Sequence, residues 1–507
     1  MTSAKSRWEH LQGKRSGVLD RARNAAELTI PALMPPEGSQ EGYELPTPYQ
    51  SLGARGVNNL ASKLLLALFP AGVSFFRFRI DSDILESLGE GLSDVEEALR
   101  KLENKTLRRV EEGNLRTMVH AALKHLIVTG NAALHLPASG LARVFRLNQY
   151  TALRDAGGTV VEAVIKETVS PRTLSDEVRT ACQIEPAKNL ADEEDVDVYT
   201  HIVLVEGGKQ IEYHQEINEL EVPDSRGRNK AEESPFIFLR WTAVENEDYG
   251  RGLVDEYMGD LRSLEGLSKS VVGFAAVAAK IILMIEPNAS VDRERLIEAD
   301  TGEVVTGNRD DVSFLQLDKF ADFRVAKSVI DDLTLRISHA FLLQSGTVRD
   351  AERVTAAEIS AVAQELEDVL GGNYTVLSRE LQLPIVRREM AKMKKEGELP
   401  KFPDASIKPV IITGFDALGR GHELNKFRAF FADLVSLMGN DRAVGQFNTS
   451  KLTKRLASSH NIDIDELLKT EGEVAQDQQQ AQAAQLMDKA AAPVAGAVAK
   501  AAVAQQP

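Results

Sequence analysis

The sequence predicts an α+β chain that is mainly helical. Stretches with apolar residues at helical spacing fill the N-terminal quarter and the C-terminal half. Between them, residues 142–243 switch to short alternating runs separated by Gly-Gly turns, the pattern of antiparallel hairpins. A long apolar helix, a compact insertion, a returning helix and a polar loop then follow in succession.

The totals bound the class. With 507 residues there is room for about three or four domains. Apolar residues make up 43% and charged residues 27%, an ordinary balance for a soluble globular chain. The only cysteine is Cys182, so no intrachain disulfide and no cysteine zinc site is available. Its expected role is a small buried side chain in a reducing compartment, the cytoplasm. The opening stretch MTSAKSRWEHLQGKRSG has no apolar core of a secretory signal. Net charge is −16 and no basic face dominates, which argues against tight, non-specific gripping of nucleic acid. The local run KMKK at 392–395 reads as a solvated helix end.

Taken in order, residues 8–28 carry loose helical periodicity and IPALMPPEG at 30–38 breaks it. A helix follows within 46–70, with Asn58 and Asn59 near its start and Pro70 as its stop. FFRFRI at 75–80 alternates like a strand. Helices are expected at 92–111 and 115–134, then the β-rich region 142–243. Residues 253–285 return to helix, and 286–322 hold two strand-like pieces, GEVVTG and VSFLQL. A helix at 323–343 leads to the polar run Gln344 to Arg353. Thr355 and Glu358 then form a capping box, with Val354 and Ile359 at staple positions. The helix they open runs on to a bend at the Gly-Gly pair 371–372 and through EMAKMKKEG. Helices at 420–438 and 449–470 precede an Ala/Gln-rich tail, 473–507, expected to be disordered.

The run VVGFAAVAAKIILMI at 271–285 contains Lys280 and is shorter than the roughly 18–20 residues a membrane span needs. No membrane contact is expected. A helix apolar on nearly every side has to be covered. An intramolecular bundle would do this, and so would identical neighbours in a ring. The positions expected to pack are Val271, Phe274, Val277, Lys280 and Ile281.

Catalytic chemistry finds no residues to rest on. GGKQ at 207–210 lacks the upstream glycine and the Ser/Thr of a phosphate-binding loop. The G-x-G triplets at 89–91, 250–252 and 419–421 lack a third glycine and read as turns. Paired acids at Asp81/Asp83, Asp195/Asp197 and Asp463/Asp465 are what 76 acidic residues give by chance, although a two-metal nuclease built on such pairs is one alternative. His120 and His125 are five apart, off the i,i+4 spacing of a metal pair. No catalytic residue, metal site or cofactor is expected.

Longer segments carry more. TPYQSLGARGVNNLASKLLLALFP, HLIVTGNAAL, VDVYTHI, YGRGLVDEYMGDLRSLEGL, VTGNRDDVSFLQLDKFADF, ERVTAAEISAVAQELEDVLGGNYTVLSRELQLP and ITGFDALGRG spread over roughly residues 5–440. Together they resemble the portal, or head-to-tail connector, proteins of short-tailed podovirus-type bacteriophages. The resemblance implies a portal fold of wing, helical stem, small α/β clip and C-terminal helical crown. It implies a twelve-subunit ring around a DNA channel at one capsid vertex, assembled in the host cytoplasm and carried in the virion.

The parts map as follows. The wing is 1–254, stem helix one 255–285, the clip 286–322, stem helix two 323–343 and the tunnel loop 344–354. Residues 355–410 form a wing or spine helix and 411–472 the crown. Gln344, Ser345, Thr347, Arg349 and Arg353 would face double-stranded DNA without reading its sequence. Partners implied are a terminase motor and tail adaptor proteins at the clip, with major capsid, scaffold and internal core proteins at the wing and crown. A non-viral ring built on the same helical hairpin is a second alternative.

Overall fold

The computed structural model describes residues 3–39, 42–70, 74–80, 92–184, 194–278, 282–288, 290–315, 320–343, 362, 365–366, 369–370, 372–398, 407–411 and 430–439. The chain divides into two compact units, 1–417 and 418–507. In the second, residues 430–438 are helical, inside the helix expected at 420–438. Of the crown segment 411–472, only Ile411 and residues 430–439 are described, and the tail lies outside the described residues.

The core of the first unit is built on α3 (Leu52–Leu68) and α5 (Leu115–Thr129). Val57, Leu60, Leu64 and Leu68 on α3, and Val119, Leu123, Leu126 and Ile127 on α5, are fully buried. Helices this apolar are stable only inside a core. Helices α2 (Ser16–Glu27) and α4 (Leu92–Glu112) pack on α5.

Helix α5 ends at Thr129 and does not run to 134 as its periodicity predicts. Gly130 takes φ +75° as a left-handed cap. Asn131–His135 is then strand β2, the centre of an antiparallel sheet ordered β10–β2–β3, with β3 at Arg143–Phe145 and β10 at Phe236–Arg240. Ala132, Ala133 and Leu134 have no exposed surface. A short run that is apolar on both sides has no period that separates strand from helix.

The β-rich region forms a second sheet ordered β4 (Tyr150–Arg154), β5 (Val160–Val169), β6 (Val196–Val205), β7 (Gln210–Ile217) and β8 (Leu220–Glu221), with β9 (Gly227–Lys230) also on β7. The expected Gly-Gly turns are present, with Gly158 at φ +84° and Gly207 at φ +64°. Cys182 follows helix α6 (Asp176–Ala181) and is buried in a satellite core with Ile184, Val198, Ile217 and Val222, as expected. Helix α1 (Ala4–Gln12) lies on this sheet, where Trp8 packs against Tyr199 with ring centroids 6.3 Å apart.

Two buried arginines, Arg15 and Arg388, and the half-buried Arg154 tie layers together through carbonyl oxygens. Arg15 donates to Leu147 at 2.6 Å. Arg154 donates to Gly158 at 2.7 Å and Phe238 at 3.1 Å. Arg388 donates to Leu136 at 3.0 Å and Glu233 at 3.3 Å. A guanidinium satisfies several carbonyls at once, which suits seams where strand and helix ends leave acceptors unpaired. Burial lowers all three, Arg154 to about 10.

Helices α7 (Leu253–Glu256) and α8 (Met258–Ala278) lead away from the core. The helix expected to reach 285 has ended by then: Ile282–Ile285 is β11, paired antiparallel with β12 (Val312–Leu315). Residues 302–307, GEVVTG, are irregular and not the expected strand. The run ILMI, with a β-branched isoleucine at each end, takes the place opposite β12 instead. Helix α9 (Arg293–Glu298) lies between these strands, capped by Asp292, which accepts from the Glu294 N–H. Helix α10 (Phe320–Ala340) returns.

The later helix is α11 (Gly372–Leu377), a π turn (Ser378–Gln382) and α12 (Leu383–Lys395). Gly372 is helical and Gly371 lies outside the described residues; the π turn follows just ahead of Pro384. A proline has no N–H and crowds the carbonyl four residues back, which widens the turn. The wing or spine helix placed at 355–410 does not extend to its end: Ile407–Ile411 is β13, antiparallel to β1 (Phe76–Ile80). Lys394 and Lys395 are exposed, as expected of a helix end.

Helix α1 is held by two carboxylates. Arg7 donates to Glu162 at 2.7 Å, and His201 meets the same oxygen at 2.8 Å. The Ala4 N–H donates to Glu216 at 2.6 Å. The Arg7 hydrogen bond holds the Glu162 carboxyl below its usual range, with His201 assisting and burial opposing. A depressed carboxyl stabilises the fold above its unfolded value of about 4.3 and stops doing so as pH falls through the lower folded value. On acidification below about pH 4, α1 is expected to leave the sheet first. Trp8 emission, read in a Trp241→Phe background, should shift red before the β-sheet circular dichroism signal falls. Coincident loss of both signals would contradict this order.

Candidate functional site: the stem and its two roots

Helices α8 and α10 form an antiparallel pair. Asp260 near the start of α8 meets Arg336 near the end of α10 at 3.4 Å. Leu261 and Leu264 on α8, and Leu333 and Ile337 on α10, are buried. Val271 and Phe274 are half-buried and continue the stripe of Leu261, Leu264 and Leu267 on the covered face of α8. Val277 lies in the last turn of α8. Lys280 and Ile281 lie outside the described residues.

Other apolar side chains of the pair stay open. Val272 is 52% exposed, Val325 65% and Val329 42%. Ala275 and Ala276 are exposed on α8 beside Val272. Val325 and Val329 are one turn apart and share a face of α10. Small residues on α8 with valines on α10 make a surface that a second pair of helices can approach closely.

The stem leaves the core through interlocked backbone. Asn131 Oδ1 accepts from the Gly250 N–H at 2.8 Å, and Asn131 Nδ2 donates to the Gly250 carbonyl at 2.9 Å. The Trp241 N–H donates to the Gly130 carbonyl at 2.9 Å. No side chain fits at this crossing. A Cβ on Gly130 would lie 2.4 Å from the Arg251 carbonyl carbon, and one on Gly252 2.7 Å from the Val128 carbonyl oxygen. Asp255 then caps α7, accepting from the Gly252 N–H at 3.1 Å and pairing with Arg21 at 3.2 Å. Burial raises the Asp255 carboxyl, against these two partners. The segments TGN (129–131) and YGRG (249–252) are therefore two halves of one joint.

The stem re-enters at α3. The Leu343 N–H bonds the Ser338 carbonyl at 2.8 Å and the Leu342 N–H the His339 carbonyl at 3.1 Å, closing α10 with a Schellman motif. Its left-handed position is Leu342 at φ +54°, where glycine is usual and a larger residue costs roughly 1–2 kcal/mol. Helix α3 supplies what offsets this strain. Asn59 Nδ2 donates to the Phe341 and Leu342 carbonyls, each at 3.0 Å. Lys63 Nζ donates to the Leu342 carbonyl at 3.0 Å and pairs with Glu365 at 3.1 Å. Phe341 is fully buried against Gly56, where a Cβ would lie 2.6 Å from its ring.

The expected loop residues Gln344, Ser345, Thr347, Arg349 and Arg353 lie outside the described residues, as does the capping box of Thr355 and Glu358. Sequence reasoning noted Asn59 only as a residue near a helix start and passed over Lys63. A signal was present: Asn59 and Lys63 are one turn apart, and Lys63 falls on the apolar side of α3 with Leu60, Leu64 and Ala67, away from the exposed Arg55, Asn58 and Ser62. Among the described residues no cluster of His, Cys, Asp or Glu is arranged to hold a metal ion. No helix among them is long and apolar enough to cross a membrane.

A family model described as bacteriophage head to tail connecting protein matches residues 1–468. The chain belongs to this family. It is 38% identical over 502 residues to the portal protein of Escherichia phage T7, across 97% of this chain and 93% of that protein. It is 38% identical over 478 residues to the portal protein of Enterobacteria phage T3, across 92% and 88%. With the portal protein of Pseudomonas phage phiKMV it shares 28% over 494 residues, across 96% and 95%. Solved structures of gene transfer agent particles are also similar. A virion chain gives a TM-score of 0.36 at 11% identity, over 75% of this chain and 86% of that one. A neck chain gives 0.33 at 13%, over 75% and 85%. These looser likenesses add nothing to the family assignment. The connector is a structural protein of the phage virion, sited where head meets tail, and not an enzyme.

Two substitutions test this geometry. Gly130→Ala meets both the left-handed backbone and the Arg251 contact, and is expected to destabilise the chain by about 3 kcal/mol or more in denaturant unfolding. A loss below about 1 kcal/mol would mean that the joint yields. Val329→Asp leaves the monomer core untouched. It is expected to shift sedimentation from assemblies to monomers while the circular dichroism spectrum stays the same.

Proposed function

We propose that the connector assembles as a closed twelve-subunit ring at one capsid vertex, with double-stranded DNA passing inward through its channel during packaging and outward on ejection. The observation that carries this is the apolar surface left open on the stem pair. Covering the open part of each such valine contributes roughly 1 kcal/mol, and two different faces that meet at a fixed rotation close into a ring. The portal-protein relatives support the same reading.

The acidic chain suits passage. Every phosphate that a wall neutralises adds salt-dependent affinity, so a basic lining would hold DNA. A few arginines on a loop touch the backbone without reading bases. Arg349 and, beside it, Arg353 take that role in 344–354, with Gln344, Ser345 and Thr347 on the same segment. The sequence has no phosphate-binding loop, so the motor is a separate terminase that docks at the clip and is later replaced by tail adaptors. Major capsid, scaffold and internal core proteins meet the wing and crown. No cofactor takes part.

The test is release of DNA from filled particles over a range of salt. Arg349→Ala is expected to release DNA faster and with a shallower salt dependence than the parent. Unchanged retention and an unchanged slope would remove Arg349 from the channel.

A further inference from the structure

Lys63 is out of place in the core of α3. Its side chain is 1% exposed, and its neighbours along the helix are Leu60, Leu64 and Ala67. An ammonium is kept in such a place only where its bonds are made, since an apolar side chain would pack there without the desolvation penalty. Two of the bonds it makes lie on different segments. One goes to the Leu342 carbonyl, just past the end of α10, and the other to the Glu365 carboxylate. Leu342 precedes residues 344–361 and Glu365 follows them. The neighbouring Leu366 is fully buried in the same core. Helix α3 reaches the later helix again at its C-terminal end, where Gln382 donates to the Leu68 carbonyl.

We propose that Lys63 is a positioning residue that fixes the distance between the end of α10 and the helical residues at 365–366. One cation binds both, and Asn59 holds the first of them from one turn away. The spacing between these two ends is then a property of α3 and does not depend on the segment that joins them. For the connector, force applied to that segment passes into the wing core instead of prying Leu342 out of its strained backbone conformation. Only this mechanical consequence rests on the proposed function, because the geometry stands without it.

The experiment uses the full-length assembled protein and hydrogen exchange at residues 341–343, 365–366 and 369–370. Lys63→Met keeps the apolar stem and removes the donor. It is expected to lower protection about tenfold at both ends together, with α5 and the six-stranded sheet unchanged, and Lys63→Arg should restore much of it. Loss at one end only, or a uniform loss across α3 and α5, would overturn the proposal, the second because it marks a lysine that serves stability alone. Should Lys63→Met fail to fold, Glu365→Gln carries the test from the more exposed partner. It is expected to lower protection at 341–343, across the Lys63 ammonium from Glu365, and unchanged protection there would overturn the proposal. DNA retention in the same particles separates the two readings. Loosened ends with normal retention leave Lys63 as a positioning residue and contradict the channel role of 344–354.

Discussion

The stem can begin and end only where the wing backbone lets it. At Gly130, Gly250 and Gly252 main chain lies against main chain, and at Gly56 the ring of Phe341 fills the space a side chain would take. Contacts this close have no slack, because interiors packed to this density do not deform continuously. They also leave polar groups at Gly250 ahead of α7 and at the end of α10, and Asn131, Asn59 and Lys63 satisfy them from neighbouring elements. A buried N–H or carbonyl without a partner costs on the order of 1–3 kcal/mol, so these three side chains are part of the joints.

The two roots divide the labour within the chain. The core around α3 and α5 buries most of its apolar side chains, with Tyr43, Tyr49 and Leu141 open at its surface, whereas the α8–α10 pair covers one stripe and leaves Val272, Val325 and Val329 open together. A hairpin of two such helices is weak alone, and most helical stability comes from packing of an apolar face. Firmly rooted, the pair can be held out as a formed surface, so association need not also order it. The core thus makes the α8–α10 pair ready for neighbours, and the β11–β12 pair that lies between them in the chain is carried by the same two helices.

Much of this was legible in the sequence, for identifiable reasons. The hairpins of 142–243 announced themselves through alternation and Gly-Gly turns, and α3, α4 and α10 through helical spacing. The misses have physical causes. NAAL at 131–134 and ILMI at 282–285 are short and apolar on both sides, so periodicity extended the preceding helices through them, and only Gly130 marked a boundary. GEVVTG looked like a strand but pairs with no strand among the described residues. Strand β13 depends on β1, more than three hundred residues away, and no local pattern carries such a pairing. The segments TGN and YGRG stood out as specific stretches, yet their function as one joint needs the fold to bring them together. Lys63 is the instructive case: a lysine in an apolar helix is ordinarily read as a surface residue, and burial alone shows otherwise.

The central claim is that the open faces of α8 and α10 are covered by other copies of the same chain. The native mass of the purified protein tests it most directly. A species near twelve chains of 55.5 kDa, stable at high salt because its interface is apolar, is the result this account predicts. A chain that stays monomeric at micromolar concentration, alone and with its scaffold present, would contradict it.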